Sequence, residues 1–222
     1  MKRKLIILAL LLLAVAATVL LWPPREVYAE AAFRWYYQDG RGYVIELQKD
    51  ELTPENVNDS GLISSETGQR TYTPLQYCIS EGDEEGVKQC LALGADAEKR
   101  VETMAVELCP GTEQGYRAVE GYTPLHLAVF LKRYRIVELL LEAGADIESR
   151  IVMEGRTPLM EAACNGDVEM VRLLLRRGAD AQAVTDSKWC LEVIYQGKTA
   201  LDYARKVGHA ACVELLEAQV KR

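Results

Sequence analysis

GYTPLHLAVFLKRYRIVELLLEAGADIE at residues 121–148 and GRTPLMEAACNGDVEMVRLLLRRGADAQ at residues 155–182 are two copies of one pattern. Their Thr-Pro-Leu words begin at Thr123 and Thr157, 34 residues apart. A period of that size marks stacked helical repeats, in which each unit buries its apolar face against the next. Two further segments keep the register. TPLQYCISEGDEEGVKQCLALGADAE starts at Thr73, and GKTALDYARKVGHAACVELLEAQ carries Thr199 in the same place.

Each unit contains the signals for two helices and a turn. The Thr can cap the first helix, and in three units Pro follows at the first helical position, where its missing N–H costs nothing. Leu125 and Ala128 share one face of that helix, and Ile136, Val137, Leu140 and Leu141 share one face of the second. Gly144 and Gly178 stand where the second helix ends, a position that favours a left-handed residue. The expected fold is mainly α: a solenoid of about four helix-turn-helix units.

The words Gly-x-Thr-Pro-Leu-His, Val-x-Leu-Leu-Leu and Gly-Ala-Asp resemble the ankyrin repeat over about residues 71–219. That resemblance implies β-hairpin loops between units and a protein-binding role. It also implies that the His of the opening word, present here only as His126, ties neighbouring loops together. Gln76, Met160 and Asp202 replace it elsewhere, and His209 falls where the family often has His at the start of the second helix. The fourth unit lacks the Pro and the Gly-Ala-Asp ending, as a C-terminal cap would. Lys206, Glu214, Glu217, Lys221 and Arg222 are then expected to face water.

The successive Thr spacings are 50, 34 and 42 residues. Against a family norm of about 33, the first and last gaps are enlarged. The inserts are residues 99–120, with Cys109 and Tyr116, and 182–196, with Trp189, Cys190 and Tyr195. Residues 30–70 are expected to cap the first unit. Phe33–Tyr37 and Tyr43–Leu47 flank a Gly-rich loop and predict a β-hairpin. Thr53-Pro54-Glu55 signals a short helix, and 56–70 reads as a loop.

Lys2-Arg3-Lys4 precedes Leu5–Trp22, which holds 18 residues without charge. Residues 1–29 are expected to be a signal peptide or an N-terminal membrane anchor, and we favour the uncleaved anchor because the run is long enough to span a bilayer. Either way the basic end stays inside and residue 30 onward is exported to the periplasm. Without residues 1–29, which hold four basic residues and one acid, the body has 22 basic and 32 acidic residues, a net of −10. That balance argues against a nucleic-acid ligand.

All six cysteines lie in the exported part. A bond from Cys109 to Cys190 would pin an insert to the stack, with Cys164–Cys190 as the alternative. Cys78 and Cys90 could pair within the first unit or remain two buried thiols. No nucleophile motif, phosphate loop or metal-ligand spacing is present, so no enzyme activity, metal or cofactor is expected.

Among ankyrin proteins, partners are commonly held by hairpin tips and the exposed side of the first helices. Carried over to this chain, the resemblance implies Tyr122, Phe130, Leu131, Arg156 and Asn165 as partner-binding candidates, to which we add Trp189 and Tyr195 of the second insert. Phe130 and Leu131 occupy places that are usually polar, so either a folded-back insert or a partner should cover them. The expectation is a scaffold in the bacterial cell envelope with an unidentified protein partner, the inner membrane being a second contact if the anchor is retained. It resembles exported bacterial ankyrin proteins, some associated with oxidative-stress enzymes and others with toxin neutralisation. The alternatives are therefore an immunity or inhibitor protein, or an assembly factor for an envelope enzyme.

Overall fold

The computed structural model describes residues 33–38, 42–65, 68–101, 106–108, 116–118, 121–152, 154–185 and 197–220. Residues 1–29, including the expected anchor at 5–22, lie outside them. Among the described residues, no helix is long and apolar enough to cross a membrane.

The chain is mainly helical. Each unit is a helix pair: α1 (Pro74–Glu81) with α2 (Glu84–Ala92), α3 (Pro124–Phe130) with α4 (Tyr134–Glu142), α5 (Pro158–Cys164) with α6 (Val168–Arg176), and α7 (Ala200–Val207) with α8 (Ala210–Val220). The first helices stack α1 on α3 on α5 on α7. Thr73, Thr123, Thr157 and Thr199 each accept a bond from the backbone N–H three residues on, the capping role their position demands.

Register explains the core. Leu75, Leu125 and Leu159 are buried in one row, Val87, Val137 and Val171 in another. The last members of these rows, Leu201 and Val213, are half-buried, as expected where the stack ends. Lys206 and Glu214 are exposed, Glu217 is half-buried, and Lys221 and Arg222 lie outside the described residues.

Among the described residues three antiparallel hairpins accompany the helices. β1 (Phe33–Gln38) pairs with β2 (Gly42–Leu47), with Tyr36 opposite Val44. β3 (Gly61–Ser65) pairs with β4 (Gly68–Tyr72), where the sequence reading expected only a loop. β5 (Val106–Leu108) pairs with β6 (Tyr116–Ala118) inside the first insert. The helix signal at Thr53 yields a turn; the nearby helical element is a single 3-10 turn at Lys49–Glu51.

The segment that covers the first unit is 47–58. Leu47, Leu52 and Val57 join the main core. Gln89 donates to the Lys49 carbonyl at 2.8 Å, and Lys49 pairs with Asp83. Asn58 begins a ladder along the stack. Its Oδ1 accepts from the Asp96 N–H at 2.7 Å, Glu98 accepts from Asp146 N–H at 2.9 Å, and Glu148 accepts from Asp180 N–H at 2.8 Å. The covering segment and the first two units thus each present a side-chain oxygen to the backbone of the next unit.

One turn residue breaks the repeat pattern. Gly82, Gly166 and Gly208 close the first helices with φ of 75°, 66° and 89°. The matching residue of the second unit is Lys132, at φ 57°, a conformation that costs a side-chain-bearing residue about 1–2 kcal/mol. Lys132→Gly should therefore raise stability by about 1 kcal/mol after the extra chain entropy of glycine is counted. Urea unfolding tests this: an unchanged or lower midpoint would show that the turn stores no strain.

Candidate interaction surface at the second and third units

The residues just before each capping Thr sit at the hairpin bases, where the backbone is pinned. Val101 N–H donates to Tyr122 C=O at 2.9 Å and Gly121 N–H to Val101 C=O at 2.9 Å. Ile151 N–H donates to Arg156 C=O at 3.0 Å, and Thr185 N–H to Lys198 C=O at 2.9 Å. In the first three units the side chain before the Thr is buried, whereas Lys198 of the fourth is exposed. Tyr72, Val101, Tyr122 and Ile151 form a small second core, with Tyr77 and Phe130 packed on it. Two surface candidates are corrected here. Tyr122 is 2% exposed and Arg156 5% exposed, so neither is open to a partner.

Arg156 takes the register place of Tyr122 and is held by charge. It pairs with Glu154 and, at 3.2 Å, with Glu161, which is fully buried. Its guanidinium lies 5.8 Å from the Tyr203 ring centroid. Burial opposes the charge on Arg156, but Glu161 and Glu154 outweigh it and push the pKa up. Asn165, half-buried, donates to Glu161 at 3.2 Å. This candidate is thus engaged in the same polar cluster and only partly available.

His126 is fully buried and structural. Its Nε2 lies 3.0 Å from the Arg156 carbonyl, so that nitrogen donates. Its Nδ1 then accepts from the Thr123 hydroxyl at 2.8 Å. Desolvation lowers its pKa to about 4, against the opposing pull of the Arg156 carbonyl. Gln76 performs a similar task in the first unit, donating to the Lys99 carbonyl at 2.7 Å. Between units, Arg133 donates to the Ser80 carbonyl at 2.9 Å, and the His209 Nε2 lies 3.1 Å from the Cys164 carbonyl.

Phe130 and Leu131 remain at the surface, both half-buried. Phe130 meets the edge of Tyr122 with ring centroids 6.0 Å apart and planes at 89°. Leu131 packs against the main core. Tyr122 and the helix core therefore account for part of their burial. Trp189, Tyr195, Cys109 and Cys190 lie outside the described residues. Cys164, half-buried, carries a free thiol, unlike the alternative pairing. Among the described residues no group of three or more His, Cys, Asp or Glu is placed to hold a metal ion.

Glu161 and Lys132 are the informative positions that sequence reading passed over. Aligning the units would have flagged both: Glu161 falls in register with Tyr77, Leu127 and Tyr203, and Lys132 with three glycines.

A stack of paired helices in a regular register defines the class: a helical repeat solenoid. The family model for ankyrin repeats (3 copies) matches residues 51–151 and 149–221, and the chain belongs to the ankyrin-repeat family. The match begins within the segment that covers the first unit. A search of curated proteins finds no match. Ankyrin repeats generally mediate protein–protein interaction and are typically non-catalytic.

Proposed function

We propose that this chain is a protein-binding scaffold of the bacterial cell envelope, gripping its partner with its hairpin loops and the outer edges of α3 and α5. The observation that carries the reading is the run Phe130-Leu131-Lys132. A half-buried aromatic and a half-buried aliphatic residue precede a lysine held in a glycine conformation, in the middle of the stack. Strain retained beside partly exposed apolar side chains is a recognised mark of a functional site, and aromatic anchors near the centre of a surface dominate binding energy. Asn165 flanks this patch on the next unit. The exported location rests on the basic flank and the uncharged run Leu5–Trp22.

A photo-cross-linking residue at 131 tests the reading in envelope extracts, with the same residue at 142, on the opposite helix, as control. One discrete adduct from position 131 and none from 142 is expected. Equal labelling from both positions, or none from 131, would sink the proposed edge. The acidic body, at −10, favours a basic partner, as an inhibitor of a secreted toxin would have. Recovery of a co-assembled envelope enzyme instead would point to an assembly factor.

A further inference from the structure

The first unit differs from the others at a pair of core positions. Unit two has Ala128 on its first helix and Leu140 on its second; units three and four have Ala162 with Leu174 and Ala204 with Leu216. All six are buried. The first unit has Cys78 and Cys90 at these places, equally buried, one on α1 and the other on α2. Both thiols are free, and they face the same interior between α1 and α2, each affecting the ionisation of the other. A third position has changed with them. Gly86 stands where the other units have Ile136, Met170 and Cys212, and a Cβ on it would come within 2.6 Å of the Cys78 sulfur. Three coordinated changes make room for a sulfur pair inside one helix hairpin.

We propose that Cys78 and Cys90 are a disulfide-forming site that staples α1 to α2, oxidised by a low-molecular-weight disulfide such as glutathione disulfide. In one order the Cys90 sulfur attacks first. It forms an S–S bond to one glutathione while the S–S bond of the reagent breaks, and the second glutathione leaves as thiolate and takes up the Cys90 proton. The Cys78 sulfur then attacks the Cys90 sulfur, forms the protein disulfide and expels the other glutathione, which takes up the Cys78 proton. Two protein thiols are oxidised and one glutathione disulfide is reduced to two thiols. The reverse order, with Cys78 attacking first and Cys90 resolving, gives the same products.

Access is gated by the segment before the repeats. Lys49 pairs with Asp83 beside the thiols, and Gln89, next to Cys90, is tied to the Lys49 carbonyl. The reagent reaches the pair when residues 47–58 lift or the terminal unit opens, which is where repeat stacks are least protected.

Trypsin provides the test, because Lys88 separates the two cysteines into peptides 71–88 and 89–99. The full chain is equilibrated in oxidising glutathione buffer, its remaining thiols are alkylated in denaturant, and it is digested without reductant. The expected product is peptide 71–88 linked to 89–99, separating on reduction. Full alkylation of Cys78 and Cys90 under oxidising conditions, or Cys90 linked elsewhere, would overturn the proposal. The bond should raise the folding equilibrium constant roughly a hundredfold, the effect of closing a loop of this size. Cys78→Ala with Cys90→Leu recreates the pair used by the other three units. That double variant should fold and show a urea midpoint independent of the redox buffer. A redox-dependent midpoint that survives in it would assign the effect to other cysteines.

Discussion

Glu161→Leu is expected to destabilise the fold by about 3–5 kcal/mol, the range for removing one partner of a buried ion pair. Glu161 is fully buried and Arg156 nearly so, at 3.2 Å. Removing the carboxylate leaves a buried guanidinium facing apolar neighbours, and Asn165 loses its acceptor. Glu154, 45% exposed, still pairs with Arg156, which argues for the lower end of the range. The companion change carries the opposite expectation. Arg156→Tyr with Glu161→Leu copies Tyr122 and Leu127, which occupy the same register in the second unit. Replacing a buried ion pair by packed apolar residues is often neutral or stabilising. The double variant should therefore recover most of the loss, and the Arg156 backbone carbonyl remains for His126. Urea unfolding of the single and double variants measures the coupling. A Glu161→Leu protein as stable as wild type would refute the buried pair.

The second large effect depends on pH. The His126 pKa is lowered to about 4 in the folded protein, from 6.5. Above pH 6.5 the imidazole is neutral in both states, and its bonds to Arg156 and Thr123 contribute in full. As pH falls below 6.5 the unfolded chain takes up a proton that the folded chain refuses, so stability drops. The loss continues to about pH 4, where the folded state protonates too. Its full size is roughly 3 kcal/mol. Protonation would also force Nδ1 to donate to Thr123, whose hydroxyl lies 3.3 Å from Ser149 Oγ. Because carboxylates titrate in the same window, the test is a difference. His126→Gln places here the residue the first unit uses at Gln76, and its stability should decline less between pH 6.5 and 4 than that of wild type. Parallel pH profiles for the two proteins would show that His126 is not the group refusing the proton.

The helices were readable because their period, caps and turn residues recur in register. Thr73, Thr123, Thr157 and Thr199 all act as the pattern requires. The residue before each Thr was not readable in the same way. It lies outside the helix, so helical periodicity says nothing about its direction, and Tyr122 and Arg156 are buried by partners distant in sequence: the small second core for one and Glu161 for the other. Glu161 escaped because a charged residue is assigned to solvent by default, and its burial depends on an arginine from outside its helix. Asn58 escaped because the segment around it carries no repeat word, and its role is visible only from the carboxylates that repeat it downstream. Phe130 and Leu131 were legible as exceptions to the pattern, and both stay half-exposed at the surface.

The ladder from Asn58 through Glu98 and Glu148 gives the stack a sense of direction. Each rung is written by the earlier unit and read by the backbone of the later one. A copy of the second unit spliced in before the third would both receive a rung and supply one, so the solenoid can grow there without a mismatch. The fourth unit has no Gly-Ala-Asp ending, and so lacks the reading end of a rung. The place for extension is therefore the interior, beside the second unit, which carries both ends of a rung.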